Sequence, residues 1–266
     1  MSYTSFRRIV WAHYRAHGRH DLPWRKTRDP YRILVSEVML QQTQVERVKP
    51  FYGAFLRQFP TARRLAAAPL SEVLKAWQGL GYNRRAKMLH QAGKEIAKAG
   101  MPGTAAELQR LPGVGPYTAR AVAAFAYGEE SVFIETNIRT AVMYHFFSHK
   151  RTVSDAEVEK VLAACLPKGK PREWNYALMD YGAFLKRSGV RLNSKRAQYA
   201  KPSAFPGSMR EARGAILKEL AKRAAGKRRL LGLLGDGRTA QMSSALSALC
   251  AEELIRTTRD GYALAR

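Results

Sequence analysis

Two carboxylates sit in contexts from which they could do chemistry. In VFIETNIRT (132–140), Glu135 lies between an apolar run and a helix-like segment, and Thr136 and Asn137 behind it are residue types usual at helix starts. The stretch reads two ways: as a helix cap that happens to be acidic, or as half of a catalytic pair. In ILVSEVML (33–40), Glu37 has Val35, Val38, Met39 and Leu40 as neighbours, which makes its surroundings semi-buried. Loss of hydration there raises a carboxyl's pKa and keeps it protonated. Taken alone, Glu37 reads equally as an acid on a helix surface.

The stretch LPGVGPYTARA (111–121) offers a different chemistry. Gly113 and Gly115, with Val114 between them, permit a tight turn with positive φ or close backbone approach. Pro116 falls where a first helical residue belongs, and Thr118 to Ala126 continue as a helix. Such a turn points bare backbone N–H groups outward at a helix N-terminus, a ready site for a phosphate oxygen. The alternative is a plain joint between two helices.

The elements that must position these residues are helices. Apolar residues recur at helical spacing near 3–17, 31–47, 62–67, 70–77, 83–99, 116–127, 137–147, 154–165 and 173–186. Prolines 23, 30, 50, 60, 102, 112 and 171 are expected to truncate helices at or before them. The region 186–207 is basic, rich in Gly, Ser and Pro, and reads as a linker or wrapping arm. Beyond it, 208–224 is helical, LLGLLG is a short helix closed by glycine, and Thr239 is expected to cap a helix reaching about residue 255. IRTTRDGYALA then alternates around Asp260-Gly261, a hairpin signal. Three helices followed by a hairpin is the order of a winged helix. The expectation is a mainly α chain, with a helical core over 1–203 and a small winged-helix-like domain over 207–266.

The charge points to the partner. Among 266 residues, 46 Lys and Arg stand against 21 Asp and Glu, a formal net charge of +25, with a sequence pI near 10.5. A balance that far from neutral favours a polyanion, and nucleic acid comes first. No apolar run approaches the ~20 residues a membrane span needs, so a membrane is not expected. Cys165 and Cys250 lie far apart with no CxxC spacing, which suits neither a disulfide framework nor a metal site and fits a reducing compartment. The first twenty residues hold no acid and several Arg, but Phe6, Ile9, Val10, His13 and Tyr14 form a helical stripe rather than a signal segment.

Read together, LPWRKTRDPYRILVSEVMLQQTQVERV (22–48), WQGLGYNRRAKMLHQA (77–92), LPGVGPYTARAVAAFAYG (111–128) and ALMDYGA (177–183) resemble, in order and spacing, the MutY-type adenine DNA glycosylases of the helix-hairpin-helix (HhH-GPD) base-excision superfamily. The resemblance covers about residues 8–185. It implies a two-subdomain helical glycosylase core, double-stranded DNA carrying a mispaired or damaged base in a cleft between the subdomains, and a target base flipped out of the stack. Cleaving an N-glycosidic bond needs a better leaving group and a stabilised sugar cation, tasks that one protonated acid and one ionised carboxylate divide between them. Glu37 aligns with the family's acid. Glu135 falls where the family carries Asp, followed two residues later by an Asn, here Asn137; its helix-start position favours the ionised form. Tyr117 stands where bifunctional relatives place a Schiff-base lysine, and a phenol cannot form that imine, so a monofunctional enzyme is expected.

The same resemblance implies that Trp24 and Arg25 line the base pocket. Gln41 and Gln42 would fill the vacated stack or bond the opposite base, and Tyr82 would wedge beside the orphan base. Gly113, Val114, Gly115 and Thr118 form the phosphate hook, while Arg84, Arg85, Lys87 and Arg120 would meet phosphates. The relatives usually carry four cysteines for a 4Fe–4S cluster after ALMDYGA. Here that run is FLKRSGVRLNSKRAQY, so no cluster and no other cofactor or metal is expected. Lys195 and Arg196 within it would take over contacts to the DNA backbone. Phe147-Ser148-His149 matches a tripeptide the family uses in a different, C-terminal domain, and reads here as coincidence. Adenine opposite G or 8-oxoguanine is the leading substrate. The rivals are uracil, thymine, 5-hydroxymethyluracil or hypoxanthine on the same fold, and a non-catalytic lesion-specific DNA binder. A monomer in a prokaryotic cytoplasm, associated with the nucleoid, completes the expectation.

Overall fold

Helix starts follow the side chains able to satisfy bare backbone N–H groups. Ser2 accepts from the N–H of Ser5 at the head of the helix Tyr3–His17. Thr104 with Glu107, and Ser154 with Glu157, form reciprocal capping boxes, and Pro116 and Pro171 occupy first helical positions. The computed structural model describes residues 1–192 and 205–266. The expected helices appear as Tyr3–His17, Ala62–Ala67, Leu70–Ala76, Arg84–Ala99, Thr136–Phe146, Asp155–Cys165 and Pro171–Arg187. The segment 116–127 is α-helical over Pro116–Val122 and widens into a π turn over Ala123–Tyr127.

The single helix expected over 31–47 is two. Pro30–Leu40 ends in a turn with Gln42 at φ 54, and Val45–Gln58 starts after it. Pro50 lies inside that second helix rather than stopping it. The lost hydrogen bond costs about 3 kcal/mol, and the buried stripe Val48, Tyr52 and Phe55 supplies the packing that offsets it. At Pro23, Pro30 and Pro171 the preceding helical segment has ended before the proline, as expected, and the proline begins the next one.

The chain divides into two units. The first gathers residues 1–37, 102–110 and 114–192. In it Pro171–Arg187 packs along Thr136–Phe146 and Tyr3–His17, around a core that includes Phe6, Phe125, Phe133 and Trp174. Gly182 lies directly on the backbone of Asn137, and a Cβ there would overlap the Asn137 carbonyl. The second unit gathers residues 38–101, 111–113 and 205–266. Its Arg84–Ala99 helix packs on Ala62–Ala67 and Leu70–Ala76, with Trp77, Phe55 and Phe59 fully buried beside them.

In the C-terminal part, Met209–Leu220 packs on Thr239–Ala251, and Lys227–Leu231 lies between them in sequence. The strands Ile255–Thr258 and Gly261–Leu264 then pair antiparallel. Ala225 adds an isolated bridge to Tyr262, so the segment before Lys227 flanks the hairpin. This is the winged-helix order, with two local differences. Thr239 is the first helical residue and not the cap, because its hydroxyl donates back to the Asp236 carbonyl, and the helix ends at Ala251. The hairpin turns on Arg259 and Asp260, one residue earlier than expected, because Gly261 pairs with Thr258.

Candidate active site

Pro30–Leu40 is apolar on nearly every side: Tyr31, Ile33, Leu34, Val35, Val38 and Met39 are buried. Asp29 caps it, accepting from the Arg32 N–H at 3.0 Å. Glu37 projects from this helix and is 4% exposed. The Tyr117 hydroxyl donates to its Oε2 at 3.1 Å. Burial pushes the Glu37 carboxyl up to about 7, and the nearby Glu135 charge adds to the rise, against opposing pulls from the Tyr117 hydrogen bond and Arg25. Burial and the Glu37 charge hold the Tyr117 phenol well above its usual range, so it stays a donor.

Glu135 is the helix cap that its sequence allowed, the N-cap of Thr136–Phe146. Its Oε1 accepts from the backbone N–H groups of Asn137 and Ile138, each at 2.7 Å, and its Oε2 accepts from the Thr136 hydroxyl and the Asn137 amide at 3.2 Å. Burial has the largest effect and leaves its carboxyl above the usual range, although the two backbone N–H groups, the Thr136 hydroxyl and Lys186 pull it down. Every one of these contacts is a donor, so the ionised form is the one the geometry satisfies. One unit of the chain thus brings together a carboxyl held near neutrality and a carboxylate surrounded by donors.

Aromatic rings line this unit's interior near Glu37. Phe133 meets Tyr117 edge-on, with centroids 5.5 Å apart, and Phe125 lies edge-on to Phe133 at 5.8 Å. Phe125 in turn stacks on Tyr176 at 4.2 Å. Arg172 donates to the Phe125 carbonyl inside the π turn, and to the carbonyls of Arg25 and Thr27 at 2.8 and 2.7 Å. Arg25, expected in the base pocket, is near enough to Glu37 to pull its carboxyl down; it is clasped to Asp180 through 2.7 and 2.9 Å bonds and lies 4.2 Å over the Tyr176 ring. Asp180 is 1% exposed; burial pushes its carboxyl up, but Arg25 and Arg19 outweigh that and hold it low. Trp24 is buried in the short turn Pro23–Arg25. Phe133, Arg172, Tyr176 and Asp180 were not singled out from the sequence; the acid inside the otherwise apolar ALMDYGA was the available signal.

The hook has the backbone the sequence asked for. Gly113 has φ 75, and a Cβ on it would lie 2.5 Å from the Met88 Cβ. Gly115 is the N-cap of Pro116–Val122, and a Cβ there would meet nothing within 4 Å, so its glycine leaves the approach to the bare N–H groups open. Val114 and Thr118 are buried beneath the turn. Arg120, expected on a phosphate, donates to the Val132 carbonyl at 3.1 Å and lies 3.6 Å from Glu159.

In the second unit, Arg85 is also turned inward. Its guanidinium donates to the carbonyls of Val38, Met39 and Gln41 at 2.8, 3.0 and 2.5 Å, to Leu80 and Gly81 at 3.2 and 3.0 Å, and to the Thr43 hydroxyl at 3.2 Å. It satisfies carbonyls at a helix C-terminus, which prefers a cation, and ties that turn to the 80–81 loop. It is therefore not the phosphate contact expected. Both tied segments carry a non-glycine residue in left-handed backbone, Gln42 at φ 54 and Tyr82 at φ 47. Gln41 is half-buried, whereas Gln42, Tyr82 and Arg84 are exposed. Lys87 pairs with Glu253 at 2.6 Å. Lys195 and Arg196 lie outside the described residues. Phe147-Ser148-His149 follows the end of Thr136–Phe146 in a surface turn.

The chain is similar to proteins of a known family. Residues 35–168 match the family described as HhH-GPD superfamily base excision DNA repair protein. An adenine DNA glycosylase of Mycolicibacterium smegmatis is 36% identical, over 94% of this chain and 92% of its own length. Its counterpart in Mycobacterium tuberculosis H37Rv is 36% identical over 91% of this chain and 87% of its own. The human adenine DNA glycosylase is 34% identical over 68% of this chain, a match that spans 36% of the human protein. Among solved structures, a thermostable thymine-DNA glycosylase aligns with TM-score 0.61 at 26% identity, covering 73% of this chain and 94% of that one. A trapped endonuclease III–DNA covalent intermediate shares the fold, with TM-score 0.58 at 21% identity over 78% of this chain and 93% of that one. Aligned along more than nine-tenths of its length with a mycobacterial relative, the chain belongs to the MutY-type adenine DNA glycosylases of the HhH-GPD base excision DNA repair superfamily.

Proposed function

We propose that this protein is a monofunctional DNA glycosylase that removes adenine mispaired with G or 8-oxoguanine. The observation that carries the reading is the pairing of Glu37, buried and held near neutrality by its surroundings, with Glu135, held by four donors. Tyr117 donates to Glu37 Oε2, which leaves Oε1 to carry the transferable proton to the purine ring. Protonation makes adenine a neutral leaving group, and positive charge builds on the sugar as the bond at C1′ lengthens. The Glu135 carboxylate stabilises that cation until a water oxygen bonds to C1′ and its proton passes to the Glu37 carboxylate, while Asn137 and the helix N-terminus favour the ionised form of Glu135. Tyr117 has no amine with which to form an imine, so the strand is left intact at an abasic site. The turn at Gly113–Gly115 would hold a backbone phosphate by its N–H groups. A 4Fe–4S cluster needs four thiolates, and the chain has two cysteines, so the enzyme works without one.

The test is a panel of duplexes carrying A, U, T, hypoxanthine or 5-hydroxymethyluracil opposite G and 8-oxoguanine. The expected result is strand cleavage at A after alkali and none without it. Cleavage at a pyrimidine but not at A would reassign the substrate. A protein that binds these duplexes and cleaves none would be a lesion binder.

A further inference from the structure

We infer that Arg210 of the C-terminal domain is a positioning residue for Tyr82, so that the side chain set beside the orphan base is built from two parts of the chain. The inference rests on the reading of Tyr82 as that wedge.

Tyr82 stands at the end of a loop that is held against its own preferences. Gly79, Gly81 and Tyr82 all have positive φ, at 101, 70 and 47, and the last is costly for a residue with a Cβ. The loop is fastened from below: Trp77 Nε1 donates to the Gly81 carbonyl at 3.2 Å, and Arg85 donates to the carbonyls of Leu80 and Gly81. A Cβ on Gly79 would lie 2.6 Å from the Phe51 ring, so the loop also sits tightly on its neighbour. The outcome is a rigid backbone presenting a tyrosine side chain that is 38% exposed.

Backbone rigidity alone leaves the ring free to turn about its own side-chain bonds. The Arg210 Nη1 donates to the Tyr82 hydroxyl at 2.8 Å, and its guanidinium carbon lies 5.6 Å from the ring centroid. Arg85 lies 5.5 Å from the same centroid. The ring is thus fixed at its tip by one arginine and near its face by two. Arg210 comes from the first turn of Met209–Leu220, which is anchored to the same unit. Arg213, one turn on, is bidentate to Glu252 at 2.8 and 2.6 Å. Lys87, one turn into the helix that follows Tyr82, takes the Glu252 carbonyl at 2.8 Å and the Glu253 carboxylate at 2.6 Å. A surface hydrogen bond of this kind adds little to stability; what it fixes is direction.

The experiment measures binding and orphan-base stacking, so it does not depend on which base is excised. The probe is a duplex with a tetrahydrofuran abasic analogue opposite 2-aminopurine, read by anisotropy and by 2-aminopurine emission, with wild type, Tyr82→Ala, Tyr82→Phe, Arg210→Ala and the double variant Tyr82→Phe/Arg210→Ala. Tyr82→Phe keeps the ring and removes the acceptor. We expect Tyr82→Phe and Arg210→Ala each to weaken binding about three- to tenfold with the same change in emission, and the double variant to be no weaker than either. If Tyr82→Ala behaves as wild type, the wedge reading fails and this inference with it. If Tyr82→Ala loses emission change but Arg210→Ala does not, the wedge stands and this inference falls. Additive losses, with a salt slope lowered by about 0.9 in Arg210→Ala, would make Arg210 a plain phosphate contact and also overturn it.

Discussion

Glu37→Gln should make the protein both inactive and, at high pH, more stable than the wild type. Glutamine keeps the shape of Glu37 and an oxygen for the Tyr117 hydroxyl, but it has no proton to give and no charge to bury. In the folded wild type the carboxyl is raised by burial from 4.5 to about 7. Between those values the folded chain holds a proton that the unfolded chain has released. Wild-type stability therefore falls as pH rises through that window and levels off above it. At about 1.4 kcal/mol per pH unit, the full window is worth about 3 kcal/mol, of which about 2 to 3 kcal/mol falls between pH 5 and pH 8. Contributions from other titrating groups are common to both proteins and largely cancel. Urea unfolding at pH 5 and pH 8 would show the midpoint difference between variant and wild type widening in favour of Glu37→Gln, at unchanged slope. Excision by the wild type should fall about tenfold per pH unit above 7, and the variant should lose about 10²–10⁴ in rate. A stability difference that is the same at both pH values, or a variant weaker at pH 8, would refute the argument that Glu37 is held protonated by its burial.

Glu135→Ala should cost about 1 to 2 kcal/mol in thermal unfolding through loss of the cap and should abolish excision; Glu135→Asp, still a cap, should excise adenine no faster than wild type, and a faster variant would indicate tuning for another base. Gly113→Ala should destabilise by about 1 to 3 kcal/mol, given φ 75 and the Met88 side chain. Gly115→Ala should melt like wild type, since nothing lies within 4 Å of its Cβ, yet bind duplex DNA several-fold more weakly in an anisotropy titration. Arg85→Lys, which keeps the charge but loses the planar fork, should lower stability by about 2 to 3 kcal/mol, whereas an unchanged melting curve with weaker DNA binding would restore the phosphate-contact reading.

Much of the helical frame was legible because its signals are local. Ser154 and Glu157 announce a capping box, and Pro116 and Pro171 announce first turns. The acidic pair was legible too: Glu37 stands out as an acid among apolar neighbours, and Thr136-Asn137 marks Glu135 as the start of a helix. What escaped was chemistry that depends on who folds back onto whom. Nothing in QQTQ says that Gln42 takes a left-handed conformation, because the usual flag is a glycine. On a chain of net charge +25 an arginine reads as a surface cation, yet Arg85 is wrapped by carbonyls from two loops and Arg25 by an aspartate from position 180. The contact of Arg210 with Tyr82 joins positions 128 residues apart, a separation at which residue type carries no hint of the partner.

The stitched construction of the first unit has a consequence for how the protein comes into being. Glu37 ends one of its three segments, and the next residues belong to the other unit. Tyr117 and Glu135 are both made later, the second of them 98 residues after Glu37. At about 5–20 residues per second, the ribosome emits Glu37 roughly 5 to 20 seconds before its partner carboxylate exists. During that interval the apolar stretch 30–37 is without the later segments of its unit, the kind of transiently exposed apolar surface that chaperones cover. A nascent chain shorter than 135 residues thus carries one carboxyl of the pair without the other.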